Sequence, residues 1–546
     1  MVKNLLSLLS TRQTSILSGA AVLMTTVLAS KILALVRDRL LAHAFSPDTV
    51  GVFLAAFRLP DLMFQVLIFG ALSVAFIPVF TDYLHKRGEI EAFEFASDIL
   101  NVVLVLFVLV SSVVFIFARP LTSLIVPGFT ESQKQITTNL TQIILLGQIL
   151  LAVGSFFAGI AQSYQRFIIP ALAGVLYNLG IILGIVFLVK PYGIYGPAFG
   201  VIIGTALHVL VQLPLVASLG FKHRLNFNLK SWGVKEVTRL MSMRTIGVAV
   251  EQINETIGVV LASLISTASV TYLTFAQHLQ TAPIGLFGAT IAQAALPVLS
   301  REQARGEDAS FKVTLLTTLH QILFLALPAT AILIVLRIPA VRLVFGASRF
   351  DWEATVLTGR TLAFLSLGLA SQAIVLLLVR GFYAMKDTKT PVIVSVVTVT
   401  LNIILSVVFV QVLHLEVWSL GLAYSVVSIL SVTMLVWGLN KKVGGFNQYD
   451  LYVPFLKMLL ASVVAAVALY IPVKAFDRLV FDTTRTVNLI LLSGIAASFG
   501  LAVYVLLVWL MQVKELGTFV NLIKKVYFRQ FGLKSEEIIQ ETTNPV

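Results

Sequence analysis

Long apolar runs, separated by short stretches that hold most of the charge, set the pattern of this 546-residue chain. Segments such as Ala96–Ala118 and Thr486–Met511 can cross roughly 30 Å of hydrocarbon at about 1.5 Å per residue. Each backbone polar group in lipid must be satisfied within the protein, so runs of this length are read as helices. Fourteen segments follow from the pattern: 16–36, 51–80, 96–118, 136–161, 167–189, 194–219, 237–265, 270–299, 312–336, 354–380, 391–413, 416–439, 452–473 and 486–513. The second is interrupted at Pro60 and Gly70, the eighth at Pro283, Gly285 and Gly288. The expected fold is an all-α polytopic membrane protein of about 14 transmembrane helices.

Composition agrees. The chain is 58% hydrophobic and 12% charged, too little polar surface for a soluble domain of this length. There is no cysteine, which removes disulfides, thiolate metal sites and thiol nucleophiles. The net charge of +13 does not point to nucleic acid, because the cations flank the apolar runs. Alternate connections are rich in them: His85-Lys86-Arg87, Arg166, Lys222 to Arg239, Arg301 and Arg305, Lys386 and Lys389, Lys441-Lys442, and the tail from Lys514. The other set is leaner, with Arg119 and Lys134, Lys190, Arg337 to Arg349, and Lys474 to Arg485. The positive-inside rule places the richer set and both termini in the cytoplasm. The first segment is expected to stay in place, since it exceeds a usual signal-peptide core and Ala29-Ser30-Lys31 is a poor cleavage site.

The halves echo each other. Phe69-Gly70-Ala71 with Pro78-Val79 recurs as Phe287-Gly288-Ala289 with Pro297-Val298, and Tyr164, Pro170 and Asn178 recur as Tyr383, Pro391 and Asn402. Six helices separate equivalent points, so the copies share one orientation about an axis along the membrane normal, with a substrate site expected between them. The predicted division is a first lobe over 1–220 (helices 1–6) and a second over 221–440 (helices 7–12). Helices 13–14 over 441–515 and a cytoplasmic tail over 516–546 complete it.

Several runs carry a family resemblance. Ala29-Ser30-Lys31-Ile32-Leu33, Val36-Arg37-Asp38, Ala56-Phe57-Arg58-Leu59-Pro60-Asp61-Leu62 and Gly70 to Phe80 resemble the first two helices of the MurJ (MviN) family of lipid II flippases, in the MOP exporter superfamily. So do Pro283 to Gly288, Leu296 to Arg301, Phe382-Tyr383-Ala384 and Asp387-Thr388-Lys389-Thr390-Pro391. The resemblance covers roughly residues 15–515. It implies two six-helix lobes plus two helices. It also implies transfer of lipid II, an undecaprenyl-diphosphate-linked disaccharide-pentapeptide, to the outer leaflet, and a cationic cavity. Lys31 and Arg37 keep two of the implied cations; Phe64 and His278 stand where the family carries arginines. The rival reading is another exporter of the superfamily, for drugs or polysaccharide precursors, and a third is a membrane scaffold without transport.

Ionisable groups inside membrane helices are costly and face a cavity or a partner. Lys31 and Arg37 suit diphosphate oxygens, one as a point charge and the other as a fork, while Arg39 is expected to snorkel to the outer interface. Arg58 either binds substrate or neutralises Asp61 three residues on. Glu251 and Glu255 share a helix face, where like charges repel. Either one is protonated, or a cation sits between them: Na⁺, Lys31, Arg37 or protonated His278. The pair is read as an ion pair or as a site for H⁺ or Na⁺ coupling, with Asn402 as an added oxygen ligand. His278 titrates near neutral pH or is a satisfied interior histidine. Asn178 and Asn402 are also read as inter-helix hydrogen bonders. No Walker loop, HExxH or Gly-x-Ser-x-Gly run appears, so a transporter is expected, not an enzyme. Membrane potential or an ion gradient would drive it, no cofactor would be needed, and it would act as a monomer among membrane lipids.

Overall fold

The computed structural model describes residues 16–69, 75–228, 231–346, 348–479 and 486–530. Gly70 and Ala71 of the repeat, Lys3, Arg12, Lys230, Arg485 and the end of the tail lie outside them.

The described residues are helical almost throughout. Among the described residues twelve helices are long and apolar enough to cross a membrane, and thirteen if the pair Trp352–Ser366 and Leu369–Ala384, bent by 43°, counts as one span. The first helix, Ile16–Ala44, falls outside that count; its second half carries Lys31, Arg37, Asp38 and Arg39. About fourteen were expected, so the structure supports the class and a somewhat smaller count. The stretch read as tail begins with a further helix, Lys514–Gln530.

Two of the expected interruptions, Pro60 and Pro283, stand near changes of helix type, and Gly285 and Gly288 lie within one; Gly70 lies outside the described residues. The second apolar run starts as Pro47–Ala56, where Ser46 accepts from the Thr49 N–H and Pro47 fills a position whose N–H would be unpaired. It restarts at Arg58–Phe64 and continues as a π-helical turn, Gln65–Phe69. The eighth run passes from Thr267–Pro283 into another π-helical turn, Ile284–Ala289. These two turns start 219 residues apart (65 and 284), and a second pair, Gly184–Leu188 and Val408–Val412, starts 224 apart (184 and 408). Helix ends recur as well. Gln165 and Lys386 both adopt positive φ, rare for residues with a side chain. Each is followed by a six-residue closing bond, from Arg166 N to Ala161 O and from Asp387 N to Phe382 O.

Gly180 and Gly184, and Gly196, Gly200 and Gly204, are spaced by four residues, and helices Ile168–Leu183 and Tyr195–Leu210 pack closely along them. A Cβ on Gly180 would stand 2.2 Å from the Gly204 Cα, and one on Gly184 2.5 Å from the Gly200 Cα.

Contacts divide the chain into two units. One comprises residues 1–282, 340–365 and 392–427. Its core is aromatic, with Phe76 against Phe80, Phe95 and Phe156 at 4.5–5.9 Å between ring centres. The other comprises residues 283–339, 366–391 and 428–546. There Tyr504 donates to the Phe324 carbonyl, and Phe519 of the last helix stacks on Phe324 at 4.9 Å. Asp387, in the connection before Lys389–Val407, accepts from Lys442 at 2.6 Å and from the Thr390 N–H. Burial alone would raise its carboxyl, but these bonds hold it at about 2. A depressed folded value means the stabilisation is complete above the ordinary carboxylate range and disappears only as pH falls through about 2.

Candidate functional site

Three groups of polar residues in the first unit hold the residues singled out in the sequence. The first is built on Ile16–Ala44. Arg37 donates through Nε and Nη2 to Asp38 Oδ1, at 3.0 and 2.8 Å, and through Nη1 to Asn178 Oδ1 at 3.3 Å. Asn178 in turn donates to Ser30 Oγ at 3.2 Å. The other oxygen of Asp38 meets His278 Nδ1 at 2.7 Å. Asp38 is fully buried, Arg37 is 17% exposed and His278 35% exposed. A carboxylate only accepts, so His278 carries a proton on Nδ1 and turns Nε2 to the open side. Arg37 is thus paired with its neighbour Asp38. Lys31 is exposed and has no hydrogen bond or ion pair among the described residues. Arg39 donates to the Leu343 carbonyl at 2.6 Å, near the C-terminus of Arg337–Phe345, in a connection of the set expected outside. The reason is electrostatic, since the last carbonyls of a helix lack partners and favour a cation.

The second group joins Arg58 to the long helix Trp232–Ile265. Arg58 Nη1 donates to Glu255 Oε2 at 2.9 Å, Nη2 donates to Gln252 Oε1, and Nε is buried without a partner. Arg58 is 12% exposed and Glu255 47%. This corrects two expectations. Asp61 does not neutralise Arg58; it accepts from Gln148 Nε2 at 3.1 Å. The cation beside Glu255 is Arg58, not Lys31, Arg37 or His278. Gln252 and Glu255, three apart on one helix face, offer the guanidinium fork two acceptors where Asp61 offers one residue.

The third group surrounds Glu251, which is exposed and has no ion-pair partner among the described residues. One turn on, Asn254 Oδ1 accepts from Asn402 Nδ2 at 2.7 Å, and the Asn402 Oδ1 is buried without a partner. No three His, Asp or Glu side chains gather as a metal site among the described residues.

Sequence reasoning missed Ser30 and Gln148. Ser30 had a signal, since it lies seven residues, two helical turns, before Arg37 on the same face. Gln148 is an isolated polar residue in Glu131–Ser163 and carried none.

A family model described as "Lipid II flippase MurJ" matches residues 41–487. The lipid II flippase MurJ of Burkholderia cenocepacia is 28% identical over 426 residues, covering 76% of this chain and 82% of that protein. Among solved structures, the lipid II flippase MurJ in an inward closed conformation aligns with a TM-score of 0.74 at 24% identity, covering 88% of this chain and 98% of that one. An inward-facing multidrug resistance MATE transporter of the MOP superfamily aligns with a TM-score of 0.64 at 13% identity, covering 76% and 94%. The two structural likenesses concern the fold.

Proposed function

Because this chain belongs to the MurJ lipid II flippase family, we propose that it carries lipid II from the inner to the outer leaflet of a bacterial cytoplasmic membrane. The observation that carries the reading is a set of interior donors, the cations Arg37 and Arg58 and the imidazole of His278, each held on a polar acceptor within otherwise apolar helices. Such groups are expensive in a membrane and mark a substrate path. Lys31, without a partner among the described residues, adds a point charge.

The division into lobes over 1–220 and 221–440 is part of this proposal, supported by the paired π-helical turns and helix ends. Among the hydrogen bonds and ion pairs that then run from the first lobe to the second are Asp38 to His278, Arg39 to Leu343, Arg58 to Glu255, and Thr271 Oγ1 to the Pro47 carbonyl at 2.6 Å. Alternating access requires them to break. An entering diphosphate competes with Glu255 for Arg58, whose Nε already lacks an acceptor, and with Asp38 for His278. Substrate would thereby bind one state better than the other, which is the only way a ligand shifts such an equilibrium. No covalent chemistry is involved. Glu251, Asn254 and Asn402 form the ion-coupling part of the proposal. A carboxylate and amide oxygens suit a hard cation such as Na⁺, and the carboxylate alone suits H⁺.

Export of a different amphipathic solute is the second reading, favoured by Phe64 and His278 at positions where arginines were expected. Complementation separates the two: the chain should sustain growth of a bacterium depleted of its own lipid II flippase, and the second reading predicts lysis. Orientation is tested alongside. The chain has no cysteine, so single cysteines in 221–228 and 348–351 can be labelled with an impermeant thiol reagent. Intact cells should label only the 348–351 position; the reverse result inverts the topology.

A further inference from the structure

Arg380 lies in Leu369–Ala384, four residues before that helix ends. Its Nη1 donates to the Ala289 carbonyl at 2.9 Å, and this is its only hydrogen bond among the described residues. No carboxylate there lies within ion-pair distance of it. Ala289 closes the π-helical turn Ile284–Ala289, and the helical run continues for fifteen residues to Ala304, roughly 22 Å at 1.5 Å per residue. Gly288 lets the two elements meet, since a Cβ there would stand 2.8 Å from the Ala373 Cα. Gln372 is two turns before Arg380 on the same face, and its Nε2 is buried without a partner. That face therefore presents two polar side chains rich in N–H donors and short of acceptors, one of them a full positive charge. A lipid-facing stripe would carry neither.

We propose that Arg380 is a further anion-binding residue, which takes the diphosphate of the transported lipid, with Gln372 as a second donor on the same face. The inference rests on the lipid II reading above. A guanidinium with one main-chain bond retains the donors to grip a phosphate oxygen pair. The π-helical turn keeps the guanidinium extended, because Ala289 O holds one of its nitrogens in place.

The test is a binding titration of the full chain in phosphatidylcholine nanodiscs, with undecaprenyl diphosphate as ligand and phosphatidylglycerol as competitor. Arg380→Gln should weaken binding about tenfold, equivalent to about 1.4 kcal/mol. Arg380→Lys, which keeps the charge, should stay within about threefold. Gln372→Leu should weaken it about threefold, and it tests the face if Arg380→Gln does not fold. Phosphatidylglycerol at equal concentration should not displace the ligand. Wild-type affinity in both Arg380→Gln and Gln372→Leu would overturn the proposal and leave Arg380 as a partner for Ala289 O alone. Equal displacement by phosphatidylglycerol would also overturn it, in favour of a general headgroup site. If the unaltered chain bound no diphosphate lipid, the lipid II reading itself would fall, and this inference with it.

Discussion

Asp38→Ala should be the most damaging single substitution in the first unit. Asp38 is fully buried and accepts from Arg37 and His278 at once, so its loss leaves a buried guanidinium with only Asn178. Removing one partner of a buried pair costs about 3–5 kcal/mol. Folded protein recovered from membranes should fall steeply, and the remainder should melt at a lower temperature in detergent. Arg37→Ala together with Asp38→Ala removes both charges, so recovery should improve over Asp38→Ala alone while complementation stays absent. Arg37→Ala alone leaves Asp38 paired with His278; it should be produced at a normal level and fail to complement. Wild-type melting of Asp38→Ala would mean that the carboxylate does not hold these helices together.

Glu251 and Glu255 should separate cleanly, although one helix turn divides them. Glu255→Gln removes the counter-charge of Arg58, which is 12% exposed, while the glutamate itself is 47% exposed. The cost should fall between the ~1 kcal/mol of an exposed pair and the ~3–5 kcal/mol of a buried one. Net transport should drop at least about tenfold through loss of the link between Arg58 and the helix Trp232–Ile265. Glu251→Gln breaks no ion pair among the described residues, so its stability should stay within about 0.5 kcal/mol of the parent. It should nevertheless lose its dependence on the ion gradient and most of its net transport. Uptake by reconstituted vesicles, with and without Na⁺ and H⁺ gradients, measures both. Gradient-dependent transport at the parent rate by Glu251→Gln would remove Glu251 from coupling.

The helices were legible because apolar run length is a local signal, and the changes of helix type near Pro60 and Pro283 because proline removes a donor inside such a run. The close glycine packing was legible from its four-residue period. The partners were not. Arg58 meets Glu255 across 197 positions, His278 meets Asp38 across 240, and Arg39 meets Leu343 across 304. No local period records such pairings. Adjacency misled at Asp61, which is near Arg58 in sequence but turns to Gln148. It also hid the role of Asp38, which serves two helices rather than Arg37 alone. Arg380 was passed over because it stands at the end of an apolar segment, where an arginine ordinarily belongs to the interface.

The activity proposed for this chain is movement of lipid II across the membrane. Its most direct test is the leaflet accessibility of lipid II in cells whose own flippase has been depleted, probed with an enzyme that cleaves the precursor only from outside. Expression of this chain should restore cleavable lipid II, and Arg58→Ala, made at the same level, should not. Lipid II that stays protected in cells producing the folded, unaltered chain would contradict the account.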